Sequence, residues 1–176
     1  MRIVAGKYKG RHFDIPHSFK ARPTTDFAKE NLFNVLQHYV DFEEAQALDL
    51  FSGTGSITYE LLSRGCSSVT AVEADRQHFA FILQCLGKLN DNNAKALKND
   101  VFRFLKKCRQ KYDIIFADPP YALKQLSTLP EEILGRQLLN DEGIFILEHG
   151  SDYNFTEHPR CIDHRTYGSV NFSLFR

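Results

Sequence analysis

From residue 47 onward the chain alternates short apolar runs with helical patterns, and that alternation restricts the fold more than any other feature. ALDLF (47–51), VTAVE (69–73), KALKN (95–99), YDIIFAD (112–118) and GIFILEH (143–149) read as strands. Between them, helices are expected over 56–64 (closed by Gly65), over 76–89 with Phe79, Leu83, Leu86 and Leu89 inward, from the Asp100 cap to about 110, and near 124–139. Near-continuous apolar strands separated by helices specify a parallel sheet covered on both faces. The last two runs, 161–167 and 169–175, flank Gly168 and read as an antiparallel hairpin. The expected fold class is therefore α/β, a doubly wound, seven-stranded, mostly parallel sheet ending in an antiparallel hairpin.

Ahead of this core, residues 2–15 read as a small β-hairpin turning around Gly6 to Gly10. Pro16 and Pro23 bracket a loop. Residues 26–40 read as a helix with Ala28, Leu32, Leu36 and Tyr39 on one face, Val35 alongside, and Thr24, Thr25 and Asp26 as cap candidates. With no repeat or linker, residues 1–176 are expected to form one domain, with 1–24 as an N-terminal hairpin and loop extension. That extension holds Arg2, Lys7, Lys9, Arg11, Lys20 and Arg22 against one acid, Asp14, although the whole chain is neutral. The excess suits an anionic partner or a lysine-guarded strand edge, and charge alone leaves both open. If all of it met phosphates of single-stranded RNA, the salt slope would be about −3.5. No apolar run has the length of a membrane span, and residues 1–10 lack the apolar stretch of a leader peptide. Cys66, Cys85, Cys108 and Cys161 and the seven histidines show no metal spacing. Free thiols in a reducing, cytoplasmic setting and no metal are expected.

Two strand ends carry the chemistry. DLFSGTG (49–55) joins a strand to a helix, where open α/β sheets bind ligands. Gly53 and Gly55 allow a tight turn and close approach of the backbone to a ligand. Glu73 ends the following strand, twenty residues after Gly53, where a carboxylate can accept hydrogen bonds from both ribose hydroxyls of an adenosine. Capping the next helix is its competing role, which Asp75 fills better. A dinucleotide would require a third glycine at position 58, which is Thr58, and would set pyrophosphate against Asp49. S-adenosylmethionine has no phosphate and carries a sulfonium and an ammonium, so Asp49 favours it; Asp49 could also bond the loop amides. Phe51, Thr54, Ala74 and Val101 complete the candidate cofactor-binding set.

The second strand end is DPPY, Asp118-Pro119-Pro120-Tyr121, facing the same crevice. An amino group on a base is a weak nucleophile because its lone pair is delocalised into the ring. Hydrogen bonds from its N–H groups to Asp118 and the Pro119 carbonyl would aim that lone pair at a methyl donor, and positioning of this kind lowers a barrier by up to about 7–11 kcal/mol. Tyr121 can stack on the extruded base, worth about 1–3 kcal/mol. A proline-stiffened turn with a capping aspartate is the plain alternative. No dedicated general base is required, since the methylated amine is acidic enough to lose its proton to solvent or to Asp118.

These motifs resemble the amino-methylating class I S-adenosylmethionine-dependent methyltransferases, which have a Rossmann-like fold. More narrowly, the chain is similar to the bacterial 16S ribosomal RNA guanine-N2 methyltransferases, the guanine(966)-N(2) group. The resemblance runs through RIVAGKYKGR (2–11), RPTTD (22–26), DLFSGTG, VEAD (72–75), ND (99–100), DPPY, LEH (147–149) and YGSVNFSLF (167–175). It implies that Gly53 and Gly55 line the methionine part of the cofactor, Glu73 holds the ribose, and Asp100 lies near the adenine amino group. It also implies that Asp118 to Tyr121 grip a guanine, with Arg22, Pro23 and Thr24 near the pocket and the RNA. Where the family carries more basic residues after RPT-x-D, this chain has Phe27-Ala28-Lys29, leaving Lys29 as the cationic contact. Arg2, Lys7, Lys9 and Arg11 complete the expected RNA surface. The implied partner is 16S rRNA within an assembling small subunit, met by a monomer. Other readings carried forward are a DNA adenine or cytosine amino-methyltransferase, for which 176 residues leave no target-recognition region, and an inactive RNA-binding module on the same fold. A protein glutamine methyltransferase would resemble Asn-Pro-Pro-Tyr instead, and Thr58 and Asp49 disfavour an NAD oxidoreductase.

Overall fold

A computed structural model describes residues 1–19 and 25–176. Its elements run α1 (Asp26–Leu36), β1 (Gln46–Leu50), α2 (Ser56–Ser63), β2 (Ser68–Glu73), α3 (Arg76–Leu89), β3 (Ala94–Lys98), α4 (Val101–Lys107), β4 (Tyr112–Ala117), a 3-10 turn (Leu126–Thr128), α5 (Leu129–Leu134), β5 (Leu139–His149), β6 (Cys161–Tyr167) and β7 (Val170–Phe175). The seven strands form one sheet in the order β3-β2-β1-β4-β5-β7-β6. Pairings from β3 through β5 are parallel, whereas β7 is antiparallel to both β5 and β6. The expected architecture, with its terminal hairpin, is the one observed.

Alternating side chains send each strand's apolar residues to opposite faces, and helices cover both. Leu32 and Phe33 of α1, Ile57 and Tyr59 of α2 and Ile82 of α3 pack over Ile114, Phe116, Ile144 and Ile146. Val101 and Leu105 of α4 and Leu129 and Ile133 of α5 cover Ile115, Ala117, Phe145 and Leu147 on the other side. Helix starts follow local chemistry. Thr25 Oγ1 accepts from Ala28 N at 3.2 Å, Asp75 from the Gln77 and His78 amides at 2.8 and 2.9 Å, and Asp100 from Arg103 N at 2.9 Å.

Several local expectations are corrected. The segment expected to be helical over 124–139 forms only the 3-10 turn and α5, because Pro130 permits a start but Gly135 and the left-handed Gln137 (φ 54°) end it. On α3 the buried row is Phe81, Ile82, Cys85, Leu86 and Leu89, while Leu83 is exposed. Two apolar stripes compete on that helix, and the one against β2 and β3 is inward. Helix α1 ends at Leu36, so Tyr39 leaves the expected face and its hydroxyl donates to Asp163 at 3.0 Å. The N-terminal hairpin is present but short: besides the antiparallel bridge of Arg2 with His12, Ile3 N donates to the Arg11 carbonyl and Phe13 N to the Met1 carbonyl, both at 2.9 Å. Ile3 and Phe13 anchor that segment in the core, and the Glu60 carboxylate of α2 accepts from the Val4 and Ala5 amides at 2.8 and 3.1 Å. Among the described residues no helix is long and apolar enough to cross a membrane.

Candidate active site

The glycine turn and the DPPY turn leave adjacent strands at the same edge. Strand β1 pairs with β4 up to Leu50 opposite Ala117, and Asp118 N donates to the Leu50 carbonyl at 3.4 Å. Neighbouring parallel strands are about 4.8 Å apart, so ligands held by the two turns would touch. Strand β5 lies on the far side of β4, with Ala117 opposite Leu147, which brings Glu148 beside Asp118.

The turn itself is built around glycines for two different reasons. Gly55 has φ 80°, and a Cβ there would sit 2.4 Å from the Tyr59 hydroxyl oxygen. That hydroxyl donates to the Thr54 carbonyl at 3.0 Å and locks the turn. Gly53 (φ 54°) has almost empty surroundings, because the nearest atom to a Cβ would be Phe51 O at 3.8 Å. The protein thus leaves open space at Gly53, on the side where a ligand would lie. Glu73, at the end of β2, accepts from Gly53 N and from Asp75 N, both at 2.7 Å, one at each oxygen. Two backbone donors fix its carboxylate beside the turn and leave lone pairs on both oxygens for further donors. Asp75 caps α3, as expected, which frees Glu73 from that task.

The electrostatics are one-sided. Asp49 is fully buried and bonded by the Thr58 hydroxyl. Burial, aided by the Asp118 and Glu73 carboxylates, raises its pKa to about 7. Burial, followed by the Glu148 carboxylate, pushes Asp118 well above the usual carboxylate range. The same two carboxylates also reach Tyr121, whose hydroxyl is raised by burial and then by them. Asp118 and Glu73 act through space on Asp49, and Glu148 acts on Asp118. Such a rim favours a cationic ligand, which fits a sulfonium with an ammonium and disfavours pyrophosphate. Among the described residues no group of three or more His, Cys, Asp or Glu is arranged to hold a metal ion.

The remaining candidates fall around this edge. Asp100 uses one oxygen to cap α4, and buried Val101 follows it; Phe51, left-handed at φ 58°, meets Phe102 edge-on at 6.3 Å. Ala74 is exposed, and Thr54 is buried with its hydroxyl on Met1 Sδ at 3.4 Å. In the DPPY turn Pro119 is buried and Pro120 and Tyr121 are exposed. Leu123 N donates to the Pro120 carbonyl at 2.8 Å, whereas no backbone amide among the described residues donates to the Pro119 carbonyl. That carbonyl is therefore the better acceptor for a ligand amine.

The expected RNA surface divides. Arg22, Pro23 and Thr24 lie outside the described residues. Lys9 is exposed, but Lys7 pairs with Asp91 at 2.6 Å, Arg2 with Asp26 at 3.1 Å, and Arg11 donates to the Lys88 carbonyl. Lys29 is corrected outright. It is 1% exposed, with its ammonium on the Arg2 carbonyl at 2.6 Å and Ser56 Oγ at 3.1 Å, so it cannot reach a phosphate. Burial lowers its pKa against the pull of Glu60 and Asp26. Glu148 was not among the site candidates, although it lies in LEH (147–149), at the end of the strand following DPPY. His149 is fully buried, bonded to the Gly150 carbonyl and Ser173 Oγ, both at 2.9 Å.

Comparison with known proteins agrees with this fold. YlbH of Bacillus subtilis (strain 168) is 32% identical over 100% of this chain and 98% of its own. The Escherichia coli (strain K12) protein named ribosomal RNA small subunit methyltransferase D is 32% identical over 84% of this chain and 74% of its own. A solved structure of a hypothetical protein from Thermus thermophilus superimposes with a TM-score of 0.88 at 26% identity, covering 100% of this chain and 99% of that one. A family model matches all of residues 1–176, and the chain belongs to the family it describes, conserved hypothetical protein 95.

Proposed function

We propose that this chain transfers a methyl group from S-adenosylmethionine to the exocyclic N2 amine of a guanine in 16S ribosomal RNA. The observation that carries this reading is the adjacency of the Gly53 turn and the Asp118 turn on neighbouring strands, ringed by carboxylates. The name of the Escherichia coli relative supports the substrate class. When bound, S-adenosylmethionine supplies an electrophilic methyl group on a sulfonium. Glu73 would hold its ribose, and Asp49 would stabilise its positive charge, with the backbone at Gly53 and Gly55 passing close beneath. Phe51, Thr54, Ala74, Asp100 and Val101 border that position.

Asp118 and the Pro119 carbonyl accept hydrogen bonds from the two N–H groups of the guanine amine and direct its lone pair out of the base plane. The elevated pKa of Asp118 also makes its carboxylate a stronger proton acceptor, so one Oδ can take the proton that the amine sheds after methylation. Tyr121, exposed at the rim, stacks on the base. We place the protein in the cytoplasm as a single-domain monomer, acting on RNA within an assembling small subunit. With Arg2 and Lys7 already paired, its salt slope should be shallower than about −3.5. The test is incubation of labelled cofactor with small-subunit RNA and partly assembled particles from cells lacking the protein, with the modified nucleoside identified by mass. N2-methylguanosine supports the proposal, and label in adenosine, cytidine or protein overturns it.

A further inference from the structure

Phe27, in the first turn of α1, is 67% exposed, more than Tyr121 at 56%. A single exposed aromatic is ordinary, but the position of this one is not. On one side, the turn is fixed by Lys29, whose ammonium donates to Ser56 Oγ at 3.1 Å; Ser56 opens α2 directly after Gly55. On the other side the Phe27 ring meets Tyr167 edge-on, with centroids 6.2 Å apart and planes at 87°. Tyr167 closes β6 at the hairpin turn opposite Val170, and Asn171 pairs with His149, so this turn lies beyond the end of β5. In the sheet order, β4 and β5 stand between β1 and that hairpin. The first turn of α1 therefore reaches from the glycine turn to the hairpin tip, across the strand ends that bear Asp118 and Glu148.

Perpendicular rings leave a face uncovered, and the Phe27 ring is mostly open. Beside it Arg2, paired with Asp26 at 3.1 Å, is also exposed. An aromatic face with an adjacent cation is how proteins hold unpaired bases without reading their sequence. The patch is one ring pair flanked by charges, far below the area a stable protein partner requires. We propose that Phe27, backed by Tyr167, stacks on an unpaired nucleotide next to the target guanine, while Tyr121 serves the target base itself. This rests on the methyltransferase reading above.

The chain contains no tryptophan, so Phe27→Trp introduces a single indole at this position. Its fluorescence should be quenched on titration with a guanine-containing single-stranded oligoribonucleotide, and left unchanged by the fully paired duplex. In steady-state methyl transfer to small-subunit RNA, Phe27→Leu should raise KM about 10-fold while kcat and calorimetric affinity for S-adenosylmethionine stay at wild-type values. Phe27→Tyr, which keeps a flat ring, should retain wild-type KM. Unchanged fluorescence at saturating oligonucleotide, or wild-type KM in Phe27→Leu, overturns the proposal. Failure of the methyltransferase reading looks different: the wild-type protein then transfers no label to RNA, whatever the indole reports.

Discussion

Replacing Asp49 with asparagine should make the free protein more stable and bind its cofactor less well. Asp49 is fully buried at the end of β1, and burial with two nearby carboxylates lifts its pKa from 3.8 to about 7. A difference of that size costs the folded chain about 4 kcal/mol once the group is ionised. The sign follows from proton binding. Below pH 3.8 the carboxyl is protonated in both states and the penalty is absent; it grows between 3.8 and 7 as the unfolded chain alone loses its proton, and is complete above about 7. Asparagine stays neutral, and its side-chain oxygen still accepts from the Thr58 hydroxyl. Urea unfolding should thus show Asp49→Asn gaining about 2–4 kcal/mol near pH 8 and less than about 2 kcal/mol near pH 5. Cofactor affinity of the wild-type protein should fall as pH drops through about 7, and that dependence should flatten in the variant. A variant less stable than wild type near pH 8, or equally stabilised at both pH values, would refute the electrostatic argument.

Three further outcomes follow from the same edge. Glu73→Gln keeps one acceptor oxygen for the Gly53 and Asp75 amides and should weaken S-adenosylmethionine binding about 10- to 100-fold by calorimetry. Asp118→Ala should abolish turnover while cofactor affinity stays within about 2-fold, since the residue serves the amine; joint loss of binding and folding would point to a structural role instead. Gly55→Ala forces a Cβ to 2.4 Å from the Tyr59 hydroxyl at φ 80° and should lower stability by about 2 kcal/mol or more in thermal unfolding, with reduced cofactor binding.

The parts of the molecule legible in the sequence are those set by local chemistry. Strands β1, β2 and β4 were placed to within a residue or so because each is a buried apolar run, and Asp75 and Asp100 cap their helices as their spacing requires. That the two functional turns share one edge follows from the alternation of parallel strands and helices, whereas the pairing of β1 with β4 emerges only in the assembled sheet. What escaped depends on partners distant in sequence. Lys29 looks like a surface cation until Glu60 and Ser56 of α2 enclose it. Glu148 acquires meaning only when β5 docks beside β4. The inward face of α3 is chosen by β2 and β3, because the helix carries two apolar stripes of similar weight, and Pro130 with Gly135 reduces an apparent long helix to two short turns.

The central claim is that donor and guanine are gripped by neighbouring turns of one sheet edge. A crystal structure with S-adenosylhomocysteine tests it most directly. The ligand should lie over Gly53 with its ribose on Glu73 and its sulfur facing Asp118. A ligand seated on any other edge, or with the sulfur turned away from Asp118, would contradict it.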